Sequence, residues 1–185
     1  CIGNTVAESV TPPGGVGEAS SADAAESFER TAGNTYQSFQ EKLYMPAAGV
    51  YRDGVGTDHV SLHANLFPLA FGLVPQQNRA ALATWLANRG MACSVYAAQY
   101  LLEALFENGA GASAVELITA PGDRSWRHMV ESGLTITSEA WDMKYKPNQD
   151  WNHAWGAAPA NLLPRYVLGA QPQMPGWTVA SIRPI

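Results

Sequence analysis

The sequence predicts an all-α fold of antiparallel helical hairpins, and three observations support this prediction. Apolar residues recur every three or four positions through most of the chain, which is the period of one helix face. Glycine and proline interrupt the pattern at short intervals, so consecutive helices are joined by short loops and pack side by side. Only one stretch, near the C-terminus, alternates apolar and polar residues as a strand does.

The N-terminal segment, residues 1–21, contains paired prolines and few bulky apolar side chains, too few to offset the entropic cost of ordering. We therefore predict an irregular linker or extension there, followed by one helical domain over residues 22–185. Cys1 at the head of such a segment would fit the lipid anchor of a bacterial lipoprotein, which predicts a periplasmic or extracellular location; an excised piece of a longer chain is the alternative.

A long first helix is predicted over residues 23–44, with Ser21 or Asp23 as its cap. Pro46 and Gly49 end it. Its apolar stripe consists of Ala25, Phe28, Ala32, Tyr36, Phe39 and Leu43.

The next two helices are predicted from the same apolar period. The second covers His59–Leu73, with Asp58 as its cap and a bend near Pro68. Pro75 opens the third, which ends at Arg89, because proline is tolerated in the first turn of a helix.

Four further helices complete the predicted domain, and one strand follows them. Prolines at 159 and 164 limit the regularity of the last helix. Alternation in the sequence WTVASI predicts the strand over Trp177–Ile182. The predicted helices are Ser94–Asn108, 111–119, 123–131 and Trp155–Leu168.

Charge and composition exclude several functional classes. The chain has 11 Lys and Arg against 16 Asp and Glu, a net charge of −5, so it lacks the basic surface that nucleic-acid binding requires. No apolar run approaches the ~20 residues of a membrane-spanning helix. A phosphate-binding glycine loop, a GxSxG elbow and a CxxC pair are all missing from the sequence, which leaves nucleotide, serine-hydrolase and redox chemistry without support.

The segment from Gly133 to Gly156 is the candidate site, because it places the Glu139 carboxylate in a loop with Trp141, Trp151, His153 and Trp155. Indole rings stack on the apolar faces of pyranose sugars, and a carboxylate in partly dry surroundings can be tuned for proton transfer. We therefore predict carbohydrate chemistry, with Asp142 or Asp150 as a second acid near the first; core packing is the alternative for each tryptophan. The predicted catalytic residue is Glu139, and the predicted substrate-binding residues are Trp141, His153, Trp151 and Trp155.

No metal and no cofactor are predicted. His59 and His63 are four residues apart, a spacing that lets two imidazoles on a helix share a metal ion. A third ligand at a known spacing, or an HExxH motif, does not accompany them. His128 is predicted to lie at the surface.

Five stretches carry a family resemblance: HVSLHANLFPLAFGLVP (59–75), SVYAAQYLLEALFENG (94–109), SWRHMVESGLTITSEAWD (125–142), DWNHAWGAAPANLLPRYVLGAQP (150–172) and PGWTVASIRP (175–184). In these stretches the chain, from about Asp23 to Pro184, resembles the C-terminal half of the six-hairpin (α/α)6-barrel domain of bacterial α-L-rhamnosidases. The SEAWD and NHAWG motifs are the most specific part of the match.

The resemblance implies inverting hydrolysis of terminal L-rhamnose from a glycan or glycoside. It implies that Glu139 is the general base for the attacking water, that His153 lies near the sugar, and that Trp141 forms part of the pocket wall. Inversion also requires an acid roughly 6.5 to 9.5 Å from the base, on the other side of the sugar. In the family this acid belongs to an upstream motif, and we do not find that motif in this sequence.

The match to half of a barrel leaves three interpretations open: a fragment of a larger enzyme, a degenerate relative, or a half-barrel completed by another chain. The last predicts a homo-oligomer, or a partner that supplies the N-terminal half of the barrel, because uncovered apolar helix faces associate. Two functional alternatives also remain. One is a catalytically incomplete domain for carbohydrate binding or oligomerisation; the other is a structural domain whose aromatic residues form ordinary core above a lipoprotein stalk.

Overall fold

The computed structural model describes residues 21–185, which form a mainly helical fold, as the sequence predicts. The predictions for the preceding residues, an irregular extension and lipid attachment at Cys1, lie outside the described residues. The elements, in chain order, are α1 (Ser21–Leu43), β1 (Tyr44–Met45), β2 (Val50–Tyr51), α2 (His63–Ala70), α3 (Gln76–Arg89), α4 (Val95–Glu107), α5 (Gly111–Ile118), α6 (Trp126–Glu131), a 3-10 turn (Ala154–Ala157), α7 (Ala158–Leu162), a π turn (Leu163–Val167), β3 (Ala170–Pro172), a second 3-10 turn (Pro175–Trp177) and β4 (Ala180–Ile182).

Helix α2 begins four residues later than predicted. The Asp53 carboxylate accepts a hydrogen bond from the Ser61 N–H at 2.8 Å, and the Asp53 N–H donates to the His59 carbonyl at 2.9 Å, so the residues just before the helix are held in irregular backbone. The prediction that Asp58 caps this helix is therefore wrong. The Ser61 hydroxyl instead accepts from the Ala64 N–H at 3.1 Å.

Two serines begin the helices that flank the candidate site. Ser94 accepts a hydrogen bond from the Ala97 N–H at 3.2 Å at the start of α4, and Ser125 accepts from the His128 N–H at 3.1 Å at the start of α6. Side-chain oxygens at this position satisfy backbone N–H groups that have no partner within the helix. The cap at Ser125 also explains why α6 starts at Trp126, three residues later than predicted.

The last predicted helix is interrupted, as its prolines indicate. It consists of the 3-10 turn, α7 and the π turn in succession, with Pro159 in the first turn of α7 and Pro164 at the start of the π turn. Proline lacks the N–H needed for a regular helical hydrogen bond, so each proline coincides with a change of helix type.

Two small antiparallel hairpins accompany the helices. In the first, β1 pairs with β2 through Tyr44 and Tyr51, a pairing that the sequence analysis does not predict. In the second, β4 pairs with β3 in the register Ala170 to Ile182. The predicted strand is shorter than expected because Trp177 ends a 3-10 turn in the left-handed region, with φ 58°, before the chain becomes extended.

Helix α4 lies at the centre of the described fold and packs against α2, α3, α5 and α7. Its buried residues are Val95, Ala97, Ala98, Leu101, Leu102, Ala104 and Leu105. Because α4 is apolar on most of its surface, it can be covered from several sides, and the loop after α6 is built against its N-terminal end.

Helix α1 contacts the rest of the fold mainly through its C-terminal end. None of its residues is buried, but the Phe39 ring stacks on Tyr51 at 4.9 Å, and Gln40 donates to the Leu73 carbonyl at 2.8 Å. Within residues 21–185, none of the helices combines the length and the apolar character that crossing a bilayer requires.

Candidate active site

The candidate site is formed by the loop between α6 and the 3-10 turn, which contains no helix or strand. Hydrogen bonds between its two ends give the loop its shape. The Glu139 N–H donates to the Asp150 carbonyl at 2.9 Å, and the His153 N–H donates to the Thr137 carbonyl at 2.8 Å. The Thr137 hydroxyl donates to the His153 carbonyl at 2.8 Å. These contacts bring Glu139, Asp150 and His153 together, although they are up to 14 residues apart (153 − 139).

Two buried tryptophans attach this loop to the core. The Trp141 indole donates to the Cys93 carbonyl at 2.7 Å, and the Trp126 indole donates to the Gly156 carbonyl at 2.6 Å. Their rings meet edge to face at 4.8 Å. Trp141 is only 4% exposed, so it supports the loop from the core side, and its predicted contact with sugar stays a prediction.

Glu139 is partly buried, with 16% of its side chain exposed, and its carboxylate is held at both oxygens. Oε1 pairs with the Lys146 ammonium group, and Oε2 accepts from the Asp150 N–H at 3.1 Å. The hydrogen bond from Lys146, reinforced by that from the Asp150 backbone, lowers the pKa of Glu139 below its usual value. A carboxylate held in this way is ionised at neutral pH, which is the state a general base requires.

His153 lies beside this carboxylate and stacks against Trp155. The two ring centroids are 4.0 Å apart, and His153 Nδ1 lies 3.6 Å from Asp150 Oδ2. Nδ1 is buried and has no hydrogen-bond partner in the structure. Trp155 and Trp151 are 42% and 51% exposed, so both present ring surface to solvent.

Two other acids near the candidate site, Asp142 and Asp123, are paired with other side chains. Asp142 Oδ2 lies 2.7 Å from His128 Nε2. His128, predicted to lie at the surface, is therefore a partly buried partner of Asp142. Asp123 pairs with Lys144 and accepts from the Tyr145 hydroxyl at 3.1 Å.

Asp150 is the acid that faces Glu139. A carboxylate oxygen of Glu139, a carboxylate oxygen of Asp150 and a ring nitrogen of His153 lie within 4.8 Å of one another. This separation is too short for the acid of an inverting pair, which must leave roughly 6.5 to 9.5 Å for the sugar and the water. Among residues 21–185, we therefore assign no general acid.

We assign no metal ion to the pair His59 and His63, and none to the cluster of Glu139, Asp150 and His153. The Lys146 ammonium group already supplies the positive charge beside Glu139. His59 lies outside α2 and pairs with Asp53, so His59 and His63 do not share a helix face as the sequence analysis considered. Within the described part of the chain, we name no metal ligand.

A row of contacting rings extends from the site along α4, and half of it lies outside the predicted site. This aromatic row consists of His153, Trp155, Tyr96 and Tyr100. Trp155 lies 5.2 Å from Tyr96, which lies 5.9 Å from Tyr100, and Tyr96 is 48% exposed. The signal in the sequence was two tyrosines four residues apart on a helix that is otherwise largely aliphatic, since this spacing places them on one face.

One cavity in the described part of the chain, of about 250 Å³, lies elsewhere. It is lined by residues of the π turn and the C-terminal hairpin, among them Tyr166, Gln171 and Arg183, and Glu139 is not among its lining residues. The surface around Glu139 consists of an ionised carboxylate, an imidazole and exposed rings.

Comparison with known proteins gives one family and several solved structures. A family model described as the bacterial alpha-L-rhamnosidase 6 hairpin glycosidase domain matches residues 16–167. No curated protein matches the chain.

Three similar solved structures are α-L-rhamnosidases. The enzyme from Dictyoglumus thermophilum is 21% identical with a TM-score of 0.70, over 89% of this chain and 19% of that one. The enzyme from Aspergillus terreus is 19% identical with a TM-score of 0.73, over 89% and 20%. The enzyme from Streptomyces avermitilis, complexed with L-rhamnose, is 22% identical with a TM-score of 0.67, over 87% and 16%. The chain thus spans a fifth of their length or less, and at these identities the similarity establishes the fold.

Proposed function

Because the chain belongs to the bacterial α-L-rhamnosidase six-hairpin glycosidase family, whose model matches residues 16–167, we propose that it takes part in hydrolysis of terminal L-rhamnose from a glycoside, with Glu139 as the general base. The observation that carries this proposal is the ionised Glu139 carboxylate, held by Lys146 and the Asp150 N–H beside His153 and Trp155. Exposed rings next to an ionised acid are suited to a sugar and the water that attacks it.

In the proposed reaction, Glu139 accepts a proton from a water molecule as the water oxygen attacks the anomeric carbon. The bond from that carbon to the leaving oxygen breaks, and an acid on the opposite face of the sugar protonates the leaving oxygen. Each oxygen of Glu139 accepts one hydrogen bond in the structure, and a carboxylate oxygen has two lone-pair directions, so one remains for the water. Trp155 and Trp151 would contact the sugar face, and His153 would lie beside it.

The test uses a substrate that does not require the general acid. A dinitrophenyl α-L-rhamnoside has a leaving group that departs without protonation, so a chain lacking the acid can still hydrolyse it if Glu139 activates water. Glu139→Gln should lower kcat/KM by about 10²- to 10⁴-fold, the usual contribution of a general base. Glu131→Gln is the matched control, because Glu131 is exposed and pairs with Arg127 on α6.

The stereochemistry of the first product provides an independent check. Nuclear magnetic resonance during hydrolysis should detect the inverted anomer first. Hydrolysis that proceeds equally well in Glu139→Gln, or that retains configuration, contradicts the proposal.

The aromatic row supports a second candidate, a glycan-binding domain without catalysis. It extends beyond the carboxylate to Tyr96 and Tyr100, which offer ring faces and hydroxyl groups but no acid. For this candidate, Trp155→Ala should weaken rhamnoside binding in calorimetry while Glu139→Gln leaves it unchanged. Trp177→Ala is the control, because Trp177 is 59% exposed but lies in the turn of the C-terminal hairpin.

A further inference from the structure

Two lysines lie on the site loop, and they contact different acids. Lys144 pairs with Asp123, and Lys146 pairs with Glu139. Both are partly exposed surface residues two positions apart, so composition and local sequence do not distinguish them. Only the path of the loop determines which lysine meets the candidate base.

That path is fixed by hydrogen bonds on both sides of Lys146. The Tyr145 N–H donates to the Asp142 carbonyl at 3.0 Å, and the Gln149 N–H donates to the Lys146 carbonyl at 3.2 Å. The Gln149 side chain is buried and accepts from the Ala140 N–H at 3.0 Å, next to Glu139 in the chain. The turn that carries Lys146 is thereby attached to the segment that carries the carboxylate.

We propose that Lys146 is a positioning residue of this site: its ammonium group fixes the direction of the Glu139 carboxylate and keeps it in the charged form. Lys146 takes one lone pair of Oε1 while the Asp150 N–H takes one of Oε2, so the plane of the carboxylate is set by two donors. The catalytic meaning of this inference rests on the proposed function, but the arrangement of the carboxylate does not.

The charged groups around Glu139 determine how the pKa of its carboxyl group depends on Lys146. The titratable side chains that face the carboxylate are Lys146, Asp150 and His153. Without Lys146, two carboxylates would lie within 4.8 Å of each other with His153 as their nearest cation when it is protonated. Like charges at such a distance favour protonation of one of the pair, so loss of Lys146 should raise the pKa of Glu139.

The direct test is titration of Glu139 by carbon-13 resonance of its carboxyl carbon, assigned by its loss in Glu139→Gln. The wild-type midpoint should lie below the ordinary glutamate value of 4.5. Lys146→Met and Lys146→Gln should both raise the midpoint, and Lys146→Arg should keep it low. Lys144→Met, which removes the other lysine of the same loop, should leave it unchanged. A wild-type midpoint at or above the ordinary value overturns the inference, as does a midpoint that does not respond to Lys146→Met.

Kinetics with the dinitrophenyl rhamnoside separate this inference from the proposed function. If both hold, the acid limb of the kcat/KM profile shifts to higher pH in Lys146→Met and returns in Lys146→Arg. If the titration responds to Lys146 but no hydrolysis depends on Glu139, the proposed function fails and the positioning role of Lys146 stands. If hydrolysis depends on Glu139 but neither titration nor acid limb responds to Lys146, the inference fails and the function stands.

Discussion

Three carboxylates in the described chain share one arrangement, in which a backbone N–H binds one oxygen and a basic side chain binds the other. Asp53 is held by the Ser61 N–H and His59. Asp142 is held by the Lys144 N–H and His128. Glu139 is held by the Asp150 N–H and Lys146. Each arrangement closes a loop of irregular backbone, and each lowers the pKa of its carboxyl group because the donors favour the charged form.

Asp53 gives a prediction for stability against pH. Hydrogen bonds from Ser61 and His59 lower the pKa of Asp53 from 3.8 to about 2 in the folded chain. Since the folded value is depressed, the stabilisation is fully present above pH 3.8 and is lost as pH falls toward 2. Asp53→Asn should therefore be less stable than wild type at neutral pH and lose less stability than wild type between about pH 5 and about pH 2.

Thermal unfolding followed by circular dichroism over this pH range measures the effect. Asp58→Asn is the matched control, because Asp58 is 88% exposed and its contact with Arg52 is 3.5 Å long. The control should follow the wild-type curve. If the stability of Asp53→Asn changes with pH as that of wild type does, the hydrogen bonds from Ser61 and His59 to Asp53 do not contribute to stability.

At the residue scale, the sequence predicts which side chains of the candidate loop lie together, but not all of their contacts. Glu139, His153 and Trp155 do lie together, because they share one loop whose composition stood out. Lys146 and Tyr96 were missed, since a lysine seven residues away and a tyrosine on another helix meet the site only after the chain folds. For each of these residues, the role toward a substrate is a prediction.

At the scale of elements, helix existence followed from apolar period, whereas helix ends depended on individual hydrogen bonds. Helix α3 has the predicted bounds almost to the residue, because proline and glycine flank it. Helix α2 is shorter than the apolar pattern predicts, because the Asp53 carboxylate accepts a hydrogen bond from the Ser61 N–H. The β1–β2 hairpin was not predicted, since two-residue strands are too short to produce alternation.

Gly156 lies in the 3-10 turn that follows the site loop and packs against that loop, so its lack of a side chain is required there. A Cβ at this position would lie 2.7 Å from Thr137 Cβ and 3.2 Å from the Ser138 carbonyl oxygen. Gly156→Ala should therefore push the turn that carries Trp155 away from the loop that carries Glu139, and overpacking of this kind costs about 1 to 3 kcal/mol. Urea denaturation measures the loss of unfolding free energy. We also expect the variant to bind a rhamnoside more weakly than wild type.

Gly33 provides the opposite control for this substitution. It lies within α1, and nothing is within 4 Å of a Cβ built there. Gly33→Ala should raise helix stability by about 0.5 to 1 kcal/mol, because alanine loses less backbone freedom than glycine on folding. Equal effects of the two substitutions would contradict the assignment of Gly156 to a packed contact.

At the scale of the whole molecule, α1 forms as predicted, but its apolar stripe remains uncovered. Phe28 is 61% exposed and Tyr36 is 41% exposed, whereas Phe39 and Leu43 near the C-terminal end of the helix pack against the core. A helix of this length with its stripe in water is marginal unless another surface covers the stripe. We therefore keep the proposal that copies of the chain associate, and we place the contact on this part of α1.

Light scattering after size-exclusion chromatography tests the association. A homodimer should have about twice the 19.8 kDa mass of one chain and should dissociate on dilution. Phe28→Glu places a charge in the stripe and should give a monomer, because a buried unpaired carboxylate opposes association. Asn34→Glu adds the same charge on another face of α1 and should leave the dimer intact. If the wild-type chain has the mass of one copy at every concentration, the stripe is not covered by a second copy. If both variants dissociate the dimer equally, net charge rather than the stripe controls association, because a chain of charge −5 already repels its copies.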